Sequence, residues 1–259
     1  MRRILLNIFK LPRYIYYFLK ALFVFRNPFS VIYYYITGTS PPNKVIELKC
    51  GLKIFLSDHK SDIITVFVIF IKKDYGKIKP GTIVVDIGAN IGVYSLYATY
   101  LGAKIVYAYE PNKNAYKVLL QNITNNYLED IIIPQNMAIS DTNNKTVKIP
   151  SPSSPYNQII ANNNDNIENY DLISTINVET IIANNEIEFI DVLKIDCEGC
   201  EYSVFFNMKK STFLKIGNIR MEYHSGPNNR LFSCLKTNNF DIICIKKDSS
   251  CLHAQLQSK

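Results

Sequence analysis

The chain has 259 residues, of which 47% are apolar, 20% charged and 12% aromatic, with ten glycines and eleven prolines. That composition supports a sizeable core and excludes disorder, collagen and coiled coil. The formal charge of +7 is uneven: Arg2, Arg3, Lys10, Arg13, Lys20, Arg26 and Lys44 are the charged residues before Glu47, and the 22 basic residues left of 29 face all 22 acidic ones. A neutral body argues against a nucleic-acid partner, leaving only the first 44 residues to meet phosphates.

From Arg2 to Ile36 the sequence is apolar, aromatic and basic. A spanning helix needs roughly twenty largely uncharged residues. Lys10, Arg13 and Lys20 interrupt the arm, and the stretch from Val31 to Asn43 carries Gly38 and two prolines. A secretory signal would need an unbroken apolar stretch and a small-residue cleavage site, and neither pattern is present. Ile15, Phe18, Leu19, Leu22 and Phe23 share one helical face, with Arg13, Tyr17 and Lys20 towards another. Such a helix can lie in a bilayer interface, which gives one expectation, peripheral membrane contact through residues 1–36. The other is a helical cap packed on the body, its basic residues merely solvated.

Pro41-Pro42-Asn43 ends this arm, so the expected division is 1–44 and 45–259. Val45 to Cys50 and Leu52 to Leu56 alternate about Gly51 as a short hairpin. Asp62 to Lys73 is an apolar run of helical length, and Lys79-Pro80-Gly81 introduces the next segment. Pro150 to Tyr170 is rich in proline, serine and asparagine and reads as an insertion loop or an acceptor-side lid. Six scattered cysteines, Cys50, Cys197, Cys200, Cys234, Cys244 and Cys251, read as reduced thiols of a cytoplasmic protein, with Cys197 and Cys200 as fillers.

Thr82 to Asp86 is a short β-branched strand, Ile87 to Gly92 a glycine-bearing turn and Val93 to Leu101 a helix; Ile105 to Tyr109 is a second strand ended by Glu110. Gly88 and Gly92 allow close backbone approach, and a carboxylate at the tip of the second strand can accept both hydroxyls of a ribose. A dinucleotide turn wants Gly-x-Gly-x-x-Gly, but counting from Gly88 the second and third glycine positions hold Asn90 and Val93. A sulfonium amino-acid nucleoside brings no pyrophosphate, and Asp86 suits its ammonium end.

Five blocks follow one another in order: Val85-Asp86-Ile87-Gly88-Ala89-Asn90-Ile91-Gly92-Val93-Tyr94-Ser95, Tyr109-Glu110-Pro111-Asn112, Ala138-Ile139-Ser140-Asp141, Val192-Leu193-Lys194-Ile195-Asp196-Cys197-Glu198-Gly199-Cys200-Glu201, and Met221-Glu222-Tyr223-His224. Together they resemble the FkbM family of S-adenosylmethionine-dependent methyltransferases over roughly residues 45 to 245. The resemblance implies an α/β, doubly wound, seven-stranded Rossmann-like fold with the cofactor at the carboxyl ends of its strands. It implies that Asp86, Gly88, Asn90 and Gly92 line the methionine part of S-adenosylmethionine, Glu110 with Pro111 the ribose, and Asn136 to Ala138 the adenine edge. Cysteines at 197 and 200 depart from the small or apolar residues common in the family.

Methyl transfer is an in-line displacement, so the protein must align an acceptor oxygen and exclude water. An alcohol benefits from a base that takes its proton late in the reaction. Strand parity puts Glu222 and His224 on one side, and Asp196 and Glu198 likewise if the chain stays extended. His224 is the expected base, with Asp196 and Glu222 positioning the acceptor. Asp196, Glu198, Glu222 and His224 are also suitable ligands for a divalent cation that would polarise a sugar diol. A plainer alternative makes Glu198 and Glu201 helix N-terminal acids and His224 a satisfied strand-end histidine. Where amine-directed enzymes typically carry Pro-Pro-aromatic, this chain has Lys194-Ile195-Asp196-Cys197. The expected acceptor is therefore a hydroxyl of a sugar, glycan or glycolipid, against a natural product of another kind or a non-catalytic, membrane-associated scaffold on the same fold.

Overall fold

The computed structural model describes residues 2–150, 169–224, 228–246 and 250–257. Two compact units divide the chain, residues 1–73 and 74–259. The segment 45–73 thus groups with the arm. Of the expected insertion, residues 151–168 lie outside the described residues.

In the first unit, α1 (Arg2–Val24) and α2 (Pro28–Thr37) precede the hairpin β1 (Val45–Glu47) and β2 (Lys53–Phe55) and a short helix α3 (Asp62–Phe67) that widens into a π turn over Val68–Lys72. Proline at the first position starts α2, and Gly38 at φ 65 ends it, its N–H returned to the Tyr34 carbonyl. The hairpin pairs Ile46 with Ile54, as the alternation about Gly51 predicts. The arm packs on this unit's own apolar run. Tyr35 stacks on Phe67 with ring centroids 3.9 Å apart, Tyr17 meets the same ring edge-on, and the Lys20 ammonium donates to the Ile71 carbonyl at 3.2 Å.

The second unit winds strands and helices alternately: β3 (Ile83–Ile87), α4 (Val93–Tyr100), β4 (Ile105–Tyr109), α5 (Lys113–Thr124) and β5 (Ile132–Gln135). Then come β6 (Ala138–Ile139), β7 (Thr146–Pro150) and β8 (Tyr170–Ile176), which form a small separate sheet, followed by α6 (Val178–Asn184). Winding resumes with β9 (Ile190–Ile195), α7 (Cys200–Asn207), α8 (Lys210–Phe213), β10 (Ile216–Glu222), α9 (Asn228–Thr237) and the closing hairpin β11 (Phe240–Lys246) and β12 (Cys251–Leu256). The seven-stranded sheet runs β11-β12-β10-β9-β3-β4-β5, with β12 antiparallel to both neighbours and β3, β4, β5, β9 and β10 parallel.

Burial on both faces explains why β3 and β9 read as nearly continuous apolar runs. Val85, Ile87, Leu193 and Ile195 join Ile219 and Met221 of β10 in the main core, sealed by Val204, Phe205 and Leu235 from the helices. Strand order reverses beside β3, because the chain steps outward through β4 and β5 and returns to β9 on the other side. The connections after β3 and β9 therefore leave in opposite directions, a topological switch point where an open α/β sheet binds its ligands.

Candidate active site

At this edge the backbone determines what can approach. Gly88 has φ +70, and a Cβ built on it would stand 1.8 Å from the Asp196 carbonyl oxygen, so the glycine lets two chain segments touch. Gly92 has φ +87 and heads α4, its missing Cβ facing Leu119. Gly88 is partly exposed and Gly92 buried, and each missing Cβ makes room for neighbouring protein atoms. Between them Asn90 takes a left-handed φ of 51 and turns its N–H to Glu110 Oε2 at 2.7 Å.

Glu110 also accepts the Asn112 N–H at 2.7 Å through Oε1, while the Asn112 side chain caps α5. Each carboxylate oxygen therefore holds one main-chain N–H and keeps a lone pair. Burial pushes the acid up to about 7 despite those hydrogen bonds. The Asn136 amide donates to the carbonyls of Glu110 and Pro111 at 2.8 and 3.1 Å, tying the end of β5 to the end of β4. Gly88, Asn90, Pro111 and Asn136 are partly exposed around the Glu110 carboxylate, whereas Ala138 is buried in the small sheet's core.

Asp86 is fully buried: Ser95 Oγ donates to Oδ2 at 2.7 Å, and the Lys194 ammonium stands 3.1 Å from Oδ1. Inside the protein it is thus paired with Ser95 and Lys194. Lys194 donates to the Gly88 carbonyl at 2.7 Å and lies 3.9 Å from Asp196 Oδ2. Desolvation works against this buried ammonium, but Asp86 and Asp196 outweigh it and raise its pKa. The lysine thus ties the glycine turn to the end of β9.

On the acceptor side Tyr75, 4% exposed, donates its phenol proton between two carboxylates, at 2.8 Å from Asp196 Oδ2 and 3.2 Å from Glu222 Oε2. Burial and the neighbouring Asp196 raise Glu222 to about 7. Glu198 does not continue the strand parity. It takes φ 55, Gly199 follows at φ 112, and α7 begins. The reversed turn brings the Cα atoms of Cys197 and Cys200 to 5.5 Å, and the two are disulfide-bonded, which corrects the reading of reduced fillers.

His224 sits between two carboxylates, with Nε2 3.2 Å from Glu198 Oε2 and Nδ1 2.8 Å from the fully buried Glu201. Hydrogen bonds to Glu198 and Glu201 push it up to about 10, so the ring is a cation near neutrality. The expectation of a general base at His224 is corrected: the imidazolium has no vacant nitrogen to receive a proton. Glu222, named as a positioning group, has the affinity a base needs. Of the four residues suited to a metal, three come together. Among the described residues the group whose ligand atoms lie within 4.8 Å of one another is Asp196, Glu198 and His224, without Glu222.

Three of these roles had no local signature. Tyr75 lies 121 residues from Asp196 and precedes the first strand of the sheet. Lys194 stands inside a quoted motif but reads there as one more strand residue. Glu201 reads as a helix-start acid, a position it does occupy, while also pairing with His224.

A doubly wound sheet with one antiparallel strand next to its edge, a glycine turn after the central strand and a buried acid closing the next is the architecture of class I methyltransferases. The chain belongs to the FkbM methyltransferase family: the family model described as "Methyltransferase FkbM domain" matches residues 86–243. Among curated proteins it is similar to the ribosomal protein L11 methyltransferase of Bacillus cytotoxicus, 32% identical over 96 residues that make up 37% of this chain and 29% of that protein. The Carboxydothermus hydrogenoformans protein of the same name is 34% identical over 89 residues, 34% of this chain and 28% of that protein. The matches thus span under a third of these relatives' length. Among solved structures, the ribosomal protein L11 methylase of Lactobacillus delbrueckii subsp. bulgaricus aligns with TM-score 0.42 and 15% identity, covering 79% of this chain and 81% of that one.

The residues present fit the nucleoside end of S-adenosylmethionine. Glu110 has a spare lone pair on each oxygen for the two ribose hydroxyls, and the turn that supplies the Asn90 N–H is held in place from below by Lys194.

Proposed function

We propose that this protein transfers a methyl group from S-adenosylmethionine to a hydroxyl of a sugar, glycan or lipid-linked glycan. The observation that carries the reading is the Asp196–Tyr75–Glu222 arrangement, two carboxylates bridged by one phenol at the carboxyl ends of adjacent strands. When bound, S-adenosylmethionine supplies the electrophilic methyl. Glu110 accepts the ribose hydroxyls and Lys194 fixes the turn. Asp196 accepts a hydrogen bond from the neighbouring hydroxyl of the acceptor and so places the reacting oxygen, whose own proton is directed at Glu222. Glu222, raised to about 7, takes the proton as the oxygen loses it. Tyr75 holds the two carboxylates in register and stays protonated, since burial and the facing Asp196 raise its pKa.

Two neighbouring carboxylates match the paired donors of a vicinal diol. With one imidazolium held between Glu198 and Glu201, Asp196 and Glu222 leave the site an excess of negative charge, which disfavours RNA or DNA as acceptor. The curated relatives are named for methylating a ribosomal protein, and their short match leaves the acceptor to be read from these side chains.

Methyl-labelled cofactor incubated with fractionated glycans, glycolipids, proteins and RNA tests the reading. Label is expected in the glycan or glycolipid fraction as a base-stable methyl ether, and label confined to protein or RNA would overturn it. Calorimetry tests the enzyme itself: a chain that binds neither S-adenosylmethionine nor S-adenosylhomocysteine is a scaffold.

A further inference from the structure

The arm has an inward surface that packing explains and an outward one that it does not. Inward, Ala21, Phe25 and Val31 are at most 2% exposed, Phe25 beside Phe70 of the same unit. Outward run two stripes at helical spacing. Ile15, Leu19 and Phe23 of α1 are 51, 48 and 78% exposed, and Phe29, Tyr33 and Ile36 of α2 are 69, 60 and 75% exposed. Phe18 and Phe29 meet ring to edge and join the two helices. Single exposed apolar residues are ordinary, but six large ones in two periodic stripes within 22 residues mark a face that something covers.

Charge selects the occupant. Helix α1 holds Arg2, Arg3, Lys10, Arg13 and Lys20 and no acidic residue, while Arg26 and Lys44 beyond it pair with Glu47 and Asp58. A second copy would bring the same positive charge to the contact and be repelled. An anionic lipid surface attracts it and takes up tyrosine and phenylalanine at headgroup depth. No helix among the described residues is long and apolar enough to cross a membrane, which suits α1 to lying in the interface.

We propose that α1 and α2 dock on an anionic lipid surface, the two stripes entering to headgroup depth and the basic excess of α1 supplying the long-range attraction. One side of the arm then packs on residues 45–73 and the other meets lipid.

Sedimentation of the full-length chain with phosphatidylcholine vesicles, and with vesicles of three parts phosphatidylcholine to one part phosphatidylglycerol, tests this against a control without vesicles. Binding to the anionic vesicles is expected to exceed binding to neutral ones by about tenfold at 50 mM salt and to lose most of that excess at 500 mM. The variant L19S/F23S/I36S, altered at exposed positions, should lose about tenfold of binding while its circular dichroism and melting temperature stay unchanged. The variant R2Q/R3Q/K10Q/R13Q should bind both vesicles alike. The proposal is overturned if the wild type sediments with neither vesicle, if charge and salt make no difference, or if the stripe substitutions instead abolish a concentration-dependent dimer in a chain that ignores lipid.

Discussion

Nδ1 of His224 lies 2.8 Å from Oε1 of Glu201, a carboxylate with no solvent exposure, while its other nitrogen faces Glu198. This clip joins the end of β10 to the first turn of α7 and keeps the imidazole charged. The folded-state pKa of about 10 stands above the ordinary 6.5, so the stabilisation is complete below about pH 6.5 and fades as pH rises through 10. The melting temperature of the wild type minus that of His224→Ala should shrink across that window. At pH 6 the substitution should cost about 1–3 kcal/mol, at the modest end for a buried pair because solvent reaches the imidazole. A difference that grows with pH would remove the clip.

Glu222 carries the proton-transfer prediction. Its pKa of about 7 means that turnover should rise with pH through that value as the carboxylate forms. Glu222→Gln should lower kcat roughly 10²–10⁴-fold, abolish this limb and leave cofactor affinity nearly unchanged. Tyr75→Phe should shift the limb rather than erase it, because removing the phenol leaves both carboxylates in place but unbridged. An unaltered pH profile in Glu222→Gln would move the base elsewhere.

The strand–turn–helix–strand frame of the cofactor half was legible in the sequence because its determinants are local. The run Ile83 to Ile87, the turn to Gly92, α4 and β4 lie within 27 residues, and each has its own pattern of β-branched, glycine or apolar residues. The acceptor half was not. Glu222 meets Tyr75 at the end of its strand, but parity stops at Ile195, beyond which Glu198 and Gly199 adopt left-handed backbone and redirect Glu198 to His224. Parity also says nothing of Tyr75, which arrives from a separate part of the chain. For the arm, periodicity found an amphipathic helix but could not say that Ala21 and Phe25 face protein while Leu19 and Phe23 face outward.

Glu110 makes cofactor binding pH-dependent. Ribose hydroxyls donate to the ionised acid, so affinity should be full above the pKa of about 7 and fall below it. Calorimetry at pH 8 and pH 6 should differ by about tenfold, the ratio of ionised fractions for such a group. Glu110→Ala should weaken binding by roughly 1.5–3 kcal/mol, the scale of hydrogen bonds to a charged group, and flatten the pH dependence. Equal affinity at both pH values in the wild type would detach Glu110 from the ribose.

Gly88 and Gly92 should respond differently to the same methyl group. At Gly88 a Cβ meets main chain, the Asp196 carbonyl at 1.8 Å, and neither side can retreat. The Asp196 N–H is bonded to the Ile87 carbonyl at 3.0 Å and Lys194 holds the Gly88 carbonyl at 2.7 Å. Left-handed backbone adds about 1–2 kcal/mol of its own for alanine. Gly88→Ala should therefore cost more than about 4 kcal/mol or prevent folding, a loss traceable to backbone strain and overpacking. At Gly92 the Cβ meets Leu119 Cδ1 at 2.5 Å, the end of a side chain that can rotate away. Gly92→Ala carries the same left-handed backbone cost and should total about 2–5 kcal/mol. The two effects separate in a double-mutant cycle, because Gly92→Ala made in a Leu119→Ala background should cost less than in the wild type, whereas Leu119→Ala should give Gly88→Ala no relief. A Gly88→Ala protein with wild-type melting temperature and cofactor affinity would mean that the turn does not press against the end of β9.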